Sequence, residues 1–270
     1  MLQAFEQFLV VDKGLQPVTV SGHITAVQRV EKQLGELTVE KTREYICTLY
    51  QSSFSYSHKA NQAKALEHWF EFQGQAVKFG RQKKPKSIIK QTLTEGEITS
   101  MFLCCNNIRE RTILAVLSYS GVRPKELCRI RRQDINFGTN ELTVVNGKGA
   151  KDRVVYLSAI AINILVDYIA KYPKLPDDLL FLTCDGKRPY NAQCLRKFIK
   201  LLGKRAGITK RVFPYILRHS LAINMINRGC DIFTIKSQLG HGWIETTLIY
   251  LNSLGYGQKN LYEKFCPSYV

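Results

Sequence analysis

Apolar residues in the first third of the chain recur at helical spacing. Phe5, Phe8 and Leu9 share one face of a short helix starting at Leu2, and Gly14 marks the turn after it. Val20, Ile24, Val27, Val30 and Leu34 form a second stripe, which predicts a helix over residues 18–37. A third helix is expected over 39–49, with Thr38 as its N-cap and Lys41 where a capping box would want Glu. A fourth is expected over 58–72, with Ala65, Leu66, Trp69 and Phe70 spaced for burial. Four helices with short connections predict a compact helical domain over residues 1–84. The pattern then stops. Residues 80–90 read GRQKKPKSIIK, where Pro85 and crowded like charges disfavour helix. This stretch reads as a linker centred on residues 85–91, or as a solvated surface loop.

Mixed patterning resumes over residues 92–270. Thr94 and Glu97 have the spacing of a capping box, and Ile113 to Leu117 supply the apolar run of the next helix. Ser120-Gly121 breaks that helix and Pro124 opens another at a first-turn position. Residues 141–146 and 153–157 alternate with a period of two around the turn GKGAKD, which predicts a β-hairpin. Helices follow to the end. The fold class is therefore mainly α with a small β-hairpin or sheet (α+β), in two domains.

Composition adds a partner. Of 270 residues, 39 are Lys or Arg and 22 are Asp or Glu, a net charge of +17. Such an excess points to a polyanion, most simply double-stranded DNA or RNA, although a merely basic soluble protein stays open. The charge is spread along the chain and not gathered in one amphipathic helix, which argues against a membrane surface. The start, MLQAFEQFLVVDKG, does not read as a secretory signal, and no apolar run approaches the ~18 residues that span a bilayer. The expected location is the cytoplasm, with the nucleoid. Eight scattered cysteines, none at zinc-knuckle spacing, read as reduced and mostly buried thiols, so no metal is expected.

Four short stretches carry candidate chemistry. SGVRPKEL places Arg123 just past a glycine break and Glu126 one helical turn later. VVNGKGAKDRVVYL puts Lys148 at a hairpin tip, with Lys151 in the same turn. PYILRHSLA sets Tyr215 and Arg218 three apart on a helix; the plainer alternative is a half-buried Tyr beside a solvated Arg. QLGHGWIETTLIYL has His241 behind a glycine turn and Tyr250 nine residues on, with Thr246 or Thr247 placed to cap the helix bearing Tyr250. Each is weak alone. In this order they strongly resemble the catalytic domain of the tyrosine recombinases, the phage-integrase and Xer-type family. SYSGVRPKELCRIRRQDINF is similar to that family's first arginine segment, PYILRHSLAINMINRG to its second, and DIFTIKSQLGHGWIETTLIY to the stretch that leads to the nucleophile.

The resemblance implies a two-domain C-shaped clamp on DNA, a helical core-binding domain plus a mixed catalytic domain. It also implies a homo-tetramer on two synapsed sites that exchanges strands through a Holliday junction, without cofactor, metal or ATP. Tyr250 would attack the scissile phosphate to give a 3′-phosphotyrosine. Arg123 and Arg218 would grip the non-bridging oxygens, His241 would add a hydrogen bond, Lys148 would protonate the departing 5′-oxygen and Glu126 would orient the basic groups. One position departs: Tyr215 stands where the family usually has His, and a phenol is a poor base at neutral pH. Arg81, Lys83, Lys84, Lys86 and Lys151 are candidate DNA contacts. Leu261, Tyr262 and Phe265 in the tail suit docking on a neighbouring subunit or on their own domain. A non-cleaving DNA-binding relative and a type IB topoisomerase are the alternative functions.

Overall fold

The computed structural model describes residues 1–83, 91–145, 152–172, 178–183 and 188–240. The chain divides into two compact units, Met1–Ile88 and Ile89–Val270. In the first, α1 (Leu2–Val11), α2 (Pro17–Leu34), α3 (Val39–Gln51) and α4 (Tyr56–Phe72) follow the expected stripes. Helix α2 stops at Leu34, short of the expected residue 37, because Gly35 takes a positive φ of 78° that ends the helix. Thr38 caps α3 by accepting from the Lys41 N–H, while Ser55 caps α4 and starts it two residues before His58. Phe5, Leu9, Val27, Val30, Leu66, Trp69 and Phe70 close the core, with the Phe5 and Trp69 rings edge to face at 5.0 Å.

The residues just after α4 fold back on the helices, whereas residues 84–90 of the expected linker lie outside the described residues. The Phe79 N–H donates to Glu67, the Tyr50 hydroxyl donates to the Gly80 carbonyl, and Arg81 pairs with Glu67 at 2.7 Å and with the Ala60 carbonyl at 2.8 Å. The start of the basic stretch is therefore pinned to α3 and α4, and the Arg81 guanidinium is committed to protein groups. Lys83 is exposed, whereas Lys84 and Lys86 lie outside the described residues.

His23 on α2 and His68 on α4 face each other at 5.2 Å within this unit. His68 is 5% exposed. Burial, then the charges of Lys64, His23 and Lys13, hold it down at about 4, against an opposing pull from Glu71. Burial and Lys64 lower His23 too. Both imidazoles are thus favoured neutral in the folded unit, whereas an unfolded histidine titrates near ~6.5. The stability they hold is complete above the unfolded value and is lost as pH falls towards the folded one. His68 alone should cost about 2 kcal/mol between pH 7 and pH 5. Urea denaturation followed at Trp69 in a Trp243→Phe background should show this fall, and His68→Gln should flatten it.

In the second unit, α5 (Glu95–Leu103) begins with both halves of the expected capping box, Thr94 Oγ1 to the Glu97 N–H and Glu97 to the Thr94 N–H. Helix α6 (Ile108–Ser120), capped by Asn107, runs through the core with Ile113 to Leu117 all buried. It is followed by α7 (Pro124–Leu127) and a 3-10 turn at Arg132–Asp134. A three-stranded antiparallel sheet comes next, β1 (Ile135–Asn136), β2 (Glu141–Val144) and β3 (Arg153–Tyr156), in the order β1-β2-β3. Leu142 pairs with Val155 and both face the core, while Val154 and Tyr156 face outward. The two strands of the expected hairpin pair as antiparallel neighbours and are shorter than expected, while residues 146–151 of its turn lie outside the described residues; β1, at two residues, is too short to leave an alternation in the sequence. Helices α8 (Ala159–Lys171), α9 (Ala192–Arg205), α10 (Pro214–Asn227) and α11 (Ile232–Leu239) follow among the described residues.

The fold is mainly helical with one small sheet. Among the described residues no helix is long and apolar enough to cross a membrane. Six cysteines lie in the described residues, and none is fully buried: Cys47 is exposed and Cys104, Cys105, Cys128, Cys194 and Cys230 are half-buried. This corrects the expectation of mostly buried thiols.

Candidate active site

Arg123, Glu126 and Arg218 come together where α6, α7, α10 and α11 end or begin. The local sequence explains the first pair. Pro124 fixes the first turn of α7, so Glu126 at the third position reaches back to the Arg123 N–H at 2.7 Å. The same carboxylate accepts from Arg123 Nη1 at 2.7 Å. Gly121, at φ +67°, ends α6 immediately before this turn. A Cβ there would sit 2.8 Å from Leu239 Cδ2 and 3.0 Å from Leu221 Cδ2, so a side chain would add a displacement of these leucines to the strain of the positive φ.

Arg218 reaches into this corner from α10 and is only 3% exposed. Its Nη1 donates to the Gly121 carbonyl and its Nη2 to the Leu239 carbonyl. Arg123 Nη2 donates to the next carbonyl along, that of Gly240, at 3.0 Å. Two guanidiniums thus sit on consecutive carbonyls at the C-terminus of α11, where the helix dipole favours cations. The plainer reading of PYILRHSLA is reversed: Tyr215 is exposed at 40% and the arginine is buried.

Two further residues of this corner escaped the sequence reading. Arg153, the first residue of β3, forks the Glu126 carboxylate, with Nη1 to Oε1 at 2.9 Å and Nη2 to Oε2 at 2.7 Å. Burial pushes the Glu126 carboxyl up, but hydrogen bonds from Arg153 and from the Arg123 backbone and side chain outweigh it and hold it at about 2. A signal for Arg153 was present: strand alternation puts it on the inward face with Val155, where a charge requires a partner. Gln238 pairs its amide with the outer edge of β3, accepting from the Tyr156 N–H and donating to the Tyr156 carbonyl, and also donates to the Ser120 carbonyl. It ties the end of α11 to the sheet and to α6, and a lone Gln in a helix gives no sequence sign of that.

Among the described residues the corner therefore holds three guanidiniums, from Arg123, Arg153 and Arg218, against one carboxylate, a local excess of two positive charges. His241 follows Gly240 directly in the chain. His241, Tyr250, Lys148 and Lys151 lie outside the described residues, as do Leu261, Tyr262 and Phe265 of the tail.

Comparison with known proteins places this arrangement. The model of the phage integrase family matches residues 91–255. Tyrosine recombinase XerA of Thermococcus onnurineus is 31% identical over 259 residues, covering 93% of this chain and 89% of the relative. A crystal structure of XerA recombinase matches at TM-score 0.62 and 25% identity, with 99% of both chains covered. One of XerH site-specific recombinase, bound to palindromic difH substrate as a post-cleavage complex, matches at TM-score 0.71 over 92% of this chain and 79% of that one. Its 19% identity makes that a likeness of fold. Since the family model spans more than half of the chain and a named member aligns along nearly all of it, the chain belongs to the phage integrase family of tyrosine recombinases.

Proposed function

We propose that the chain recombines double-stranded DNA at specific sites by covalent strand transfer. The Tyr250 hydroxyl gives up its proton to solvent as its oxygen bonds to the scissile phosphorus, the 5′-oxygen leaves and takes a proton from Lys148, and reversal by a new 5′-hydroxyl rejoins the strand. Arg123 and Arg218 hold the non-bridging oxygens, on which negative charge gathers in the transition state, and His241 donates a further hydrogen bond. Glu126 orients Arg123. Tyr215 lies one turn before Arg218 and can donate to phosphate, but a phenol does little as a base at neutral pH. Lys83, Lys84, Lys86 and Lys151 follow the DNA backbone, and four copies act on two sites through a Holliday junction.

The observation that carries this reading is the convergence of Arg123 and Arg218 on the end of α11, in a corner with excess positive charge, just before His241. The likeness to a recombinase caught on its DNA substrate supports a DNA partner. The test uses nicked duplexes cut from the DNA that flanks the gene. The full chain should give a protein–DNA band that survives denaturation, and tryptic peptide 237–259 should carry the phosphodiester on Tyr250. Salt-sensitive binding to the same duplexes without any adduct would overturn this and favour a DNA-binding relative that does not cleave.

A further inference from the structure

We propose that Arg153 is a positioning residue of the strand-transfer site, acting through Glu126 to keep Arg123 available to the scissile phosphate. This rests on the reading of Arg123 as a phosphate ligand. Four contacts close a circuit. Arg153 forks both oxygens of Glu126, at 2.9 and 2.7 Å. Glu126 holds the Arg123 side chain and backbone N–H, each at 2.7 Å. Arg123 Nη2 reaches the Gly240 carbonyl at 3.0 Å. The stem of Arg153 fills the space beside Gly240, so that a Cβ there would lie 2.3 Å from Arg153 Cδ and Nε. The circuit joins β3, α7 and the end of α11.

Neutralising Glu126 does not require Arg153, because Arg123 already pairs with it. A second guanidinium adds charge to a cationic corner, with side chains only 14% exposed for Arg153 and 7% for Glu126, and desolvating it has a cost. What it changes is geometry. A carboxylate with free lone pairs captures a neighbouring guanidinium as a two-pronged fork, its strongest arrangement. Here the fork belongs to Arg153. Among the described residues Arg123 makes a single side-chain bond to Glu126 and one to Gly240, and three of its ~5 N–H donors remain for a phosphate. Without Arg153, Glu126 is released to fork Arg123 and turn it from the substrate.

The experiment measures single-turnover adduct formation and duplex affinity for the full chain, on a nicked duplex that the wild type cleaves. Arg153→Met is expected to slow adduct formation by roughly 10- to 100-fold with affinity within about threefold, as for a lost transition-state contact. Arg153→Lys, which keeps the charge and loses the fork, should fall between Met and wild type. Because Arg153 acts through Glu126, adding Arg153→Met to Glu126→Gln should slow the reaction no further. Cleavage by Arg153→Met within about twofold of wild type would overturn the proposal, as would effects that multiply in the double variant. A Lys variant as slow as Met, with equal losses of thermal stability in both, would also overturn it by showing a purely structural role. If the Met variant does not fold, Arg153→Lys carries the test alone, and wild-type cleavage by it would sink the idea. Arg123→Lys separates the two levels: wild-type cleavage by that variant would refute the phosphate role of Arg123 itself, whereas impaired Arg123→Lys beside normal Arg153 variants refutes only the role of Arg153.

Discussion

Replacing Tyr250 with Phe is expected to erase the covalent protein–DNA adduct while leaving duplex affinity within about threefold of wild type. The two quantities have separate physical origins. Affinity for a duplex comes mainly from phosphate contacts and the counterions they release, and the substitution leaves the net charge of +17 untouched. The salt dependence of binding should accordingly keep its slope. The adduct needs an oxygen that can bond to phosphorus, and Phe has none. No guanidinium can replace it, because such a group stabilises charge without supplying a nucleophile. Denaturing gels report the adduct and anisotropy titrations at several salt concentrations report the affinity. An adduct persisting in the variant would move the nucleophile elsewhere in the chain, and a collapse of affinity would mean that Tyr250 holds the duplex and does more than react with it.

The helices of the first unit and the starts of α5 and α7 were legible because apolar stripes agree with caps: Thr38, Thr94 and Pro124 each stand at the helix start that the pattern requires. Errors fell where one residue overrode the stripe, as Gly35 does at the end of α2 and Ser55 at the start of α4. The sheet was legible only as a hairpin, since β1 takes its strand identity from pairing with β2 and not from its own two residues. Arg123, Glu126 and Arg218 could be picked out because the motifs that contain them resemble a known family. Their partners could not. Arg218 is bound to the carbonyls of Gly121 and Leu239, and a backbone acceptor carries no residue identity. Gln238 and the edge of β3 are likewise joined through backbone groups. The pairing of Arg81 was hidden for a related reason: Glu67 lies fourteen residues earlier on a helix, and only the fold brings it beside the basic run.

Arg218→Met is expected to damage the fold and the chemistry together, and a second variant separates the two. Arg218 is buried and its guanidinium spans two elements, from the Gly121 carbonyl at the end of α6 to the Leu239 carbonyl at the end of α11. Met is of similar length and apolar, so it fills much of the space but withdraws both donors. Leaving buried carbonyls without them costs roughly 1–3 kcal/mol each, so a loss of about 2–6 kcal/mol in urea denaturation is expected. The corner it leaves is also the one that places Gly240, and with it the Arg123 contact. Strand cleavage should therefore fall by at least the ~100- to 1000-fold typical of losing one preorganised transition-state donor. Arg218→Lys retains a cation and can satisfy one of the two carbonyls, so it should recover most of the stability. It cannot present a planar fork to phosphate oxygens, so cleavage should stay slow. Stability and cleavage that recover in step in the lysine variant would make Arg218 a structural strut alone. Recovered folding with persistently slow cleavage would assign the guanidinium to the reacting phosphate, whose oxygens a planar fork matches and a point charge does not.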